Sequence, residues 1–178
     1  SPSVLYPPEG NFTKGCINTS NVATPKQDWT AWDGASAPSL TNQEFLATGR
    51  FYLEGNSTIP ADKPTARRIF SYIAKSGASM SERAKIELAR MSLLEHPIYD
   101  YIPQIRQWGN EIKPKYPREA NRLLGELEEI QENHEAAATY FREALKEGDA
   151  PSAFDLAKLI RSNSITAKGN ENPDQLIK

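Results

Sequence analysis

The sequence is poor in the residues that metal sites and disulfides need. Among its 178 residues there is one cysteine, Cys16, and there are two histidines, His96 and His134. A single cysteine cannot form a disulfide within the chain, and neither histidine stands at a metal-ligand spacing from another histidine or a cysteine. We therefore predict no metal site and no cofactor, and we interpret Cys16 as an unpaired thiol.

Neither an excess of positive charge nor a long apolar run is present. The formal net charge is -2, with 25% charged and 38% hydrophobic residues. Binding to nucleic acid or to an anionic membrane needs a clustered basic surface, and no apolar run approaches the roughly 18 residues of a spanning helix. The amino terminus also lacks the charged start and apolar stretch of a signal peptide, so we expect that any such segment has been removed.

Motifs of catalysis are missing as well. Gly55 and Gly77 stand alone as helix stops, so the sequence has no glycine-rich phosphate loop. The acidic run 126–129 has two interpretations: paired carboxylates for acid–base chemistry, or the solvated or partner-facing side of a helix. We favour the second, because no nucleophile motif accompanies the run. The chain is therefore predicted not to be an enzyme.

The residues that are present favour helices throughout. Apolar residues recur at helical spacing from Thr41 to about Ile160, and no segment shows the period-2 alternation of a strand. Thr41 with Glu44 predicts a capping box at the first helix, and Ser79 with Glu82 predicts another at the third. We expect seven main helices, an all-α fold, and three regions: an irregular polar leader at 1–39, a helical repeat domain at 40–161, and a flexible tail or truncated next repeat at 162–178.

The helices form pairs with a recurring pattern of small and aromatic residues. One pair contains a glycine, an alanine and a phenylalanine at Gly49, Ala66 and Phe70, and a later pair repeats them at Gly125, Ala137 and Phe141. Small residues let two helices approach closely, and we expect the aromatic residue to fill the gap between neighbouring pairs. Because one pair cannot bury its own apolar face, such units must stack.

This pattern resembles the tetratricopeptide repeats and the related SEL-one-like repeats. The spacing Gly49-x-x-Tyr52-x-x-Gly55 is similar to the SEL-one-like form, and Ala120-x-x-x-Leu124-Gly125 to the tetratricopeptide form. The resemblance implies a right-handed superhelical stack of antiparallel helix pairs, an α-solenoid of about three and a half repeats.

In such stacks the first helix of each pair lines a concave groove that binds proteins. Transferred by position from this family, the resemblance implies nine groove residues: Gln43, Leu46, Arg50, Arg83, Ile86, Arg90, Glu119, Arg122 and Glu126. Side by side, Arg50 and Arg90 would bind a carboxylate or an extended, acidic peptide segment. The alternative, held equally, is that these charges only keep the protein soluble.

Two tryptophans in the leader, Trp29 and Trp32, also have two interpretations. They stand three residues apart and fall on one side of a helical turn. They provide either a stacking platform for a sugar or peptide or a cover for the open end of the first helix pair, because a solenoid must cap its ends. We favour the cover.

The resemblance implies a non-enzymatic scaffold or adaptor for protein–protein interaction. SEL-one-like stacks are frequent in bacterial envelopes, which suggests an assembly for exopolysaccharide export or secretion and a periplasmic or otherwise exported protein; a cytoplasmic location is the alternative. The alternative function is a carbohydrate- or peptide-binding module that uses Trp29 and Trp32. The sequence predicts neither the identity of the partner nor the oligomeric state.

Overall fold

A computed structural model describes residues 24–177, and every regular element within them is a helix, as the sequence predicts. The interpretation of Cys16 and the first 23 residues of the predicted leader lie outside the described residues. Residues 24–41 contain no helix. The helices are α1 (Asn42–Glu54), α2 (Lys63–Ser76), α3 (Ser81–Ser92), a 3-10 turn (Ile98–Asp100), α4 (Ile102–Ile112), α5 (Pro117–Ile130), α6 (His134–Lys146), α7 (Ala150–Arg161) and the short α8 (Pro173–Leu176).

The chain divides within α3 into two compact units. The first unit ends at Leu88, and the second begins at Ala89. In the first unit α1 packs against α2; in the second, α5 packs against α4 and α6, and α7 packs against α6 and α8.

Local hydrogen bonds fix the amino-terminal starts of α1 and α2 at the positions that the sequence predicts. The hydroxyl of Thr41 accepts a bond from the backbone N–H of Glu44, whose carboxylate accepts one from the N–H of Thr41, at 3.1 and 3.0 Å. The Asp62 carboxylate likewise accepts from the N–H of Thr65 at 3.1 Å and caps α2. Each bond satisfies an N–H group that has no partner inside its helix.

α3 begins one residue later than the predicted cap at Ser79 places it. Met80 has a φ of 74°, and α3 begins after it, at Ser81. The Ser81 hydroxyl donates to the carbonyl of Ala74, near the end of α2, at 2.8 Å. The turn between the helices is thus held by a bond back to α2, which the local pattern of residues does not encode.

Two of the glycines in the predicted pattern meet its phenylalanines directly. A Cβ atom added to Gly49 would lie 2.6 Å from Cε1 of Phe70, and one added to Gly125 would lie 2.6 Å from Cε1 of Phe141. Both distances are shorter than carbon atoms tolerate, so only glycine admits the ring. This corrects one expectation, because each ring fills the gap within its own helix pair, α1 with α2 or α5 with α6.

The second unit continues past α7 with a segment that folds back onto it. Ile165 is buried in a cluster with Phe141, Leu156 and Leu159, and Leu176 of α8 packs against the same cluster. The segment 162–177 contains one short helix in place of a full second helix for α7.

The glycine–phenylalanine contacts predict large losses when either ring is removed. Phe70 and Phe141 are both fully buried, so Phe70→Ala or Phe141→Ala should each lower the free energy of unfolding by about 3–5 kcal/mol. Urea denaturation followed by circular dichroism measures the change. Phe154, which is 55% exposed, provides the matched control, and Phe154→Ala should change stability by less than about 0.5 kcal/mol. Equal effects at the buried and exposed positions would contradict this assignment of the core.

Candidate functional site

Trp29 and Trp32 pack against the first helix pair. Trp29 is 4% exposed, and its ring centroid lies 4.9 Å from that of Phe45 on α1. Trp32 meets Phe45 and Tyr72 edge-on, at centroid distances of 5.2 and 5.5 Å. This packing agrees with the interpretation of the tryptophans as a cover, and it leaves Trp29 no open face on which a sugar can stack.

Hydrogen bonds hold this part of the leader in place. The backbone N–H of Trp29 donates to the Tyr52 hydroxyl at 3.0 Å, and the Arg68 guanidinium donates to the carbonyl of Thr30 at 2.9 Å. The leader and the loop between α1 and α2 line two adjoining open clefts of about 370 and 350 Å³, which share Thr30, Tyr52 and Ile59 in their walls. Neither tryptophan lines these clefts, and the sequence pattern does not single them out.

The groove positions of the first unit differ in how much surface they offer. Gln43 is exposed and Arg50 is partly exposed, whereas Leu46, Arg83 and Ile86 are buried. Leu46 and Ile86 belong to the apolar core, because an amphipathic helix turns such side chains inward. Almost no surface remains on them for the apolar contact with a partner that the family resemblance implies.

Arg50 is oriented by a carboxylate from α3. Its Nε donates to Oε1 of Glu87 at 3.0 Å, and the side chains are 17% and 9% exposed. Among the residues that the structure describes, the two terminal nitrogens of Arg50 make no hydrogen bond. The guanidinium is thus anchored at one edge, and its two terminal nitrogens can donate to a second, external carboxylate.

In the second unit, three of the predicted groove residues come together. Arg90 forms an ion pair with Glu126, and Arg122 lies within 4.0 Å of the same carboxylate. Arg122 is 1% exposed, and its Nη1 lies 3.7 Å from the carboxylate of Asp149, the residue that caps α7.

The remaining predicted groove residues are also paired locally. Arg50 belongs to the first unit and Arg90 to the second, so each arginine is paired inside its own unit. Glu119, the remaining predicted position, is also buried and pairs with its neighbour Arg118 at 2.9 Å.

The same face of α5 and α7 carries carboxylates whose charge is incompletely balanced. Burial, together with the charges of Glu126 and Glu129, raises the pKa of Asp155 to about 6 despite the opposing charges of Lys158 and Arg122. Burial also raises the pKa of Glu129 above its ordinary value. The sequence analysis did not single out Asp155. The available signal is its spacing: if the predicted repeat continued into α7, Lys158 would stand at the glycine position, and Asp155 three residues before it would correspond to Leu46 and Arg122.

One member of the acidic run is neither solvated nor facing a partner. Glu128 is 7% exposed; its carboxylate accepts from Arg106 at 2.6 Å and from Asn133 at 2.8 Å. Burial alone would raise the pKa of Glu128, but the bonds from Arg106 and Asn133 outweigh it and lower that pKa. Glu128 of α5 is therefore bonded to Arg106 of α4 and to Asn133 at the start of α6. This corrects the interpretation of the acidic run as a solvated or partner-facing surface, at this one position.

The described residues contain few groups for other chemistry. Within residues 24–177 no cluster of three or more histidine, cysteine, aspartate or glutamate side chains could hold a metal ion. His96 is exposed and His134 is partly buried. In the same part of the chain, no helix combines the length and the apolar character that crossing a membrane requires.

Comparisons with known proteins give no assignment. No protein-family model matches the chain, and no curated protein or solved structure shows a significant similarity to it. The likeness to tetratricopeptide and SEL-one-like repeats therefore depends on the residues of this sequence alone.

The raised pKa of Asp155 predicts a pH-dependent stability. Between the ordinary pKa of 3.8 and about 6, the native state binds a proton more tightly than the unfolded chain, so the free energy of unfolding falls as pH rises. Asp155→Asn should remove this loss and, after allowance for solvent screening, stabilise the protein by about 1 kcal/mol at pH 7 and hardly at all at pH 4. Urea unfolding at both pH values measures the difference, with Asp100→Asn at an exposed position as the control. A larger gain at pH 4 than at pH 7 would refute the sign.

Proposed function

We propose that this protein is a non-enzymatic scaffold that binds a partner protein through the polar residues on the first helices of its pairs. The observation that carries the proposal is the geometry of Arg50. Glu87 holds Nε, while the terminal nitrogens have no partner in the described chain and the side chain is 17% exposed. An arginine that is already ordered loses less side-chain entropy when it binds a carboxylate, so preorganisation favours recognition there.

The repeated packing gives this proposal its structural support. The contact of Gly49 with Phe70 recurs as that of Gly125 with Phe141, and the residue after each glycine, Arg50 or Glu126, is an ion-paired charge. Stacked helix pairs present such rows of side chains to extended segments of other proteins. We limit the proposed contact surface to polar positions, because Leu46 and Ile86 are buried.

The second unit suggests a complementary contact. Arg90 pairs with Glu126 there, whereas burial raises the pKa of Glu129 and Asp155 despite the opposing charge of Lys158. In this proposal the first unit binds a carboxylate at Arg50, and the second unit binds a basic group near Glu129 and Asp155. Charge pairing of this kind raises the association rate and weakens as salt increases, over a Debye length of about 8 Å at physiological ionic strength.

We further propose an exported location, in a bacterial envelope assembly such as exopolysaccharide export or secretion. This proposal depends on the resemblance to SEL-one-like repeats and on the polar leader. Fractionation of the native host with an antibody to the protein tests it, because a cytoplasmic pool alone would exclude the envelope assignment.

A charge swap separates recognition by Arg50 from a structural role. Arg50→Glu should weaken partner binding more than about tenfold, because a hydrogen-bonded charge is lost at the interface. The double variant Arg50→Glu/Glu87→Arg restores an internal ion pair with reversed signs, so a structural role predicts recovered binding and direct recognition predicts none. Lys75→Glu, at an exposed position on α2, is the control. The measurement is affinity purification from the native host, followed by titration with the recovered partner.

A second candidate function is supported by the cleft beside Tyr52. Its cavity of about 370 Å³ combines apolar walls from Pro25 and Ile59 with the polar groups of Lys26 and Thr30, which suits a short peptide or a sugar. Trp29 is close enough to report binding, since its backbone N–H donates to the hydroxyl of Tyr52, which lines the cleft. Quenching of tryptophan fluorescence by oligosaccharides or peptides, unchanged in Arg50→Glu, would favour this module over the scaffold.

A further inference from the structure

The segment that follows α7 lies on the second unit as a strap, which we define as residues 164–177. Its apolar anchors are Ile165, 7% exposed, and Leu176 of α8, which join the cluster of Phe141, Leu156 and Leu159. We call the surface beneath it the seat, formed on α6 and α7 by Ala138, Phe141, Arg142, Leu156 and Leu159. The strap therefore covers apolar surface that would otherwise be exposed on these two helices.

Charge complementarity fixes the strap on its seat. Nε and NH2 of Arg142 donate to the two carboxylate oxygens of Glu171, at 2.8 and 2.9 Å. Arg142 lowers the pKa of Glu171, although burial opposes that effect. A second, exposed pair joins Arg161 to Asp174 at 2.5 Å. The seat is thus apolar and basic, and its occupant is apolar and acidic.

A single left-handed residue connects α7 to the strap. Asn163 has a φ of 59° and follows the last turn of the helix. The N–H of Ser164 bonds to the carbonyl of Leu159, and the N–H of Asn163 to that of Ile160, both at 3.0 Å. These bonds form the motif that commonly ends helices, in which glycine is the preferred residue at the position of Asn163. Asparagine tolerates this conformation less well than glycine does, so the junction resists extension of α7 less than a glycine at the same position would.

We propose that the seat is an interaction surface for the strap of a second copy of this chain. When Asn163 changes from the left-handed to the helical conformation, α7 lengthens and carries the strap away from its own seat. The strap of another molecule can then make the same contacts, with Glu171 on Arg142 and Ile165 in the cluster. Such an exchange keeps the contacts between strap and seat but gives up the two bonds that end α7, and the higher effective concentration of a molecule's own strap also opposes it. The product is a reciprocal dimer, which would present two copies of any partner-binding face.

A mixture of two charge-reversed variants tests the exchange. In Arg142→Glu the strap meets a like charge on its own seat, and the same holds in Glu171→Arg. Each variant alone should remain monomeric by light scattering, because its homodimer has the same mismatch. In an equimolar mixture, both exchanged straps meet an opposite charge, so a heterodimer of twice the mass should form. A mixture that stays monomeric, or a variant that dimerises equally well alone, would overturn the proposal.

A double variant and two substitutions at Asn163, which we call the hinge, provide the controls. Arg142→Glu/Glu171→Arg restores the pair within one chain and should return the protein to the behaviour of the wild type. At the hinge, Asn163→Gly favours the left-handed conformation and Asn163→Ala favours the helix. The dimer dissociation constant of Asn163→Ala should therefore be more than about tenfold lower than that of Asn163→Gly. Because the hinge variants keep every contact of the seat, they remain informative even if the charge-reversed variants fail to fold. Equal dissociation constants for the Asn163→Ala and Asn163→Gly dimers would refute the proposed role of Asn163 as the hinge.

Discussion

The packing of both units depends on one type of contact, an aromatic ring against a helix position that has no side chain. At Gly49 and at Gly125 the ring carbon occupies space that a Cβ would need, since the distance to that atom would be 2.6 Å. The helices can approach only because this atom is missing, and the ring then fills the gap at the density of a protein interior. The neighbouring residue points to a different side of the helix, about 100° around its axis. The position of the ring therefore also determines where Arg50 and Glu126 are presented.

Electrostatics distinguishes the two units. In the first unit the Glu87 carboxylate is only 9% exposed, and its bond to Nε of Arg50 provides the charge that a buried carboxylate needs. In the second unit, burial and neighbouring negative charges leave Asp155 with a pKa of about 6, because Arg122 is shared with Glu126 and Asp149. One unit offers an oriented cation, and the other offers carboxylates that gain stability when a cation approaches.

The parts of the structure that the sequence predicts are those that depend on nearby residues. The ends of α1 and α2 follow from Thr41, Glu44 and Asp62, whose bonds span three residues. The bond of Arg50 to Glu87 crosses 37 positions, and nothing near either residue encodes it. The turn before α3 likewise includes a bond that is not between nearby residues, since the Ser81 hydroxyl donates back to Ala74 of α2. Local patterns thus predict the helices, whereas the positions of the aromatic rings against Gly49 and Gly125 and the partners of the charged residues require the tertiary fold.

The end of the second unit shows how weakly a short segment can cover an apolar face. The strap is held by two apolar anchors, Ile165 and Leu176, and by the ion pair of Arg142 with Glu171. A full second helix would bury an apolar residue about every third or fourth position and would bond its own backbone. The strap lacks that advantage along most of its length, so its attachment is far less stable than the packing of Phe141 against Gly125 beneath it.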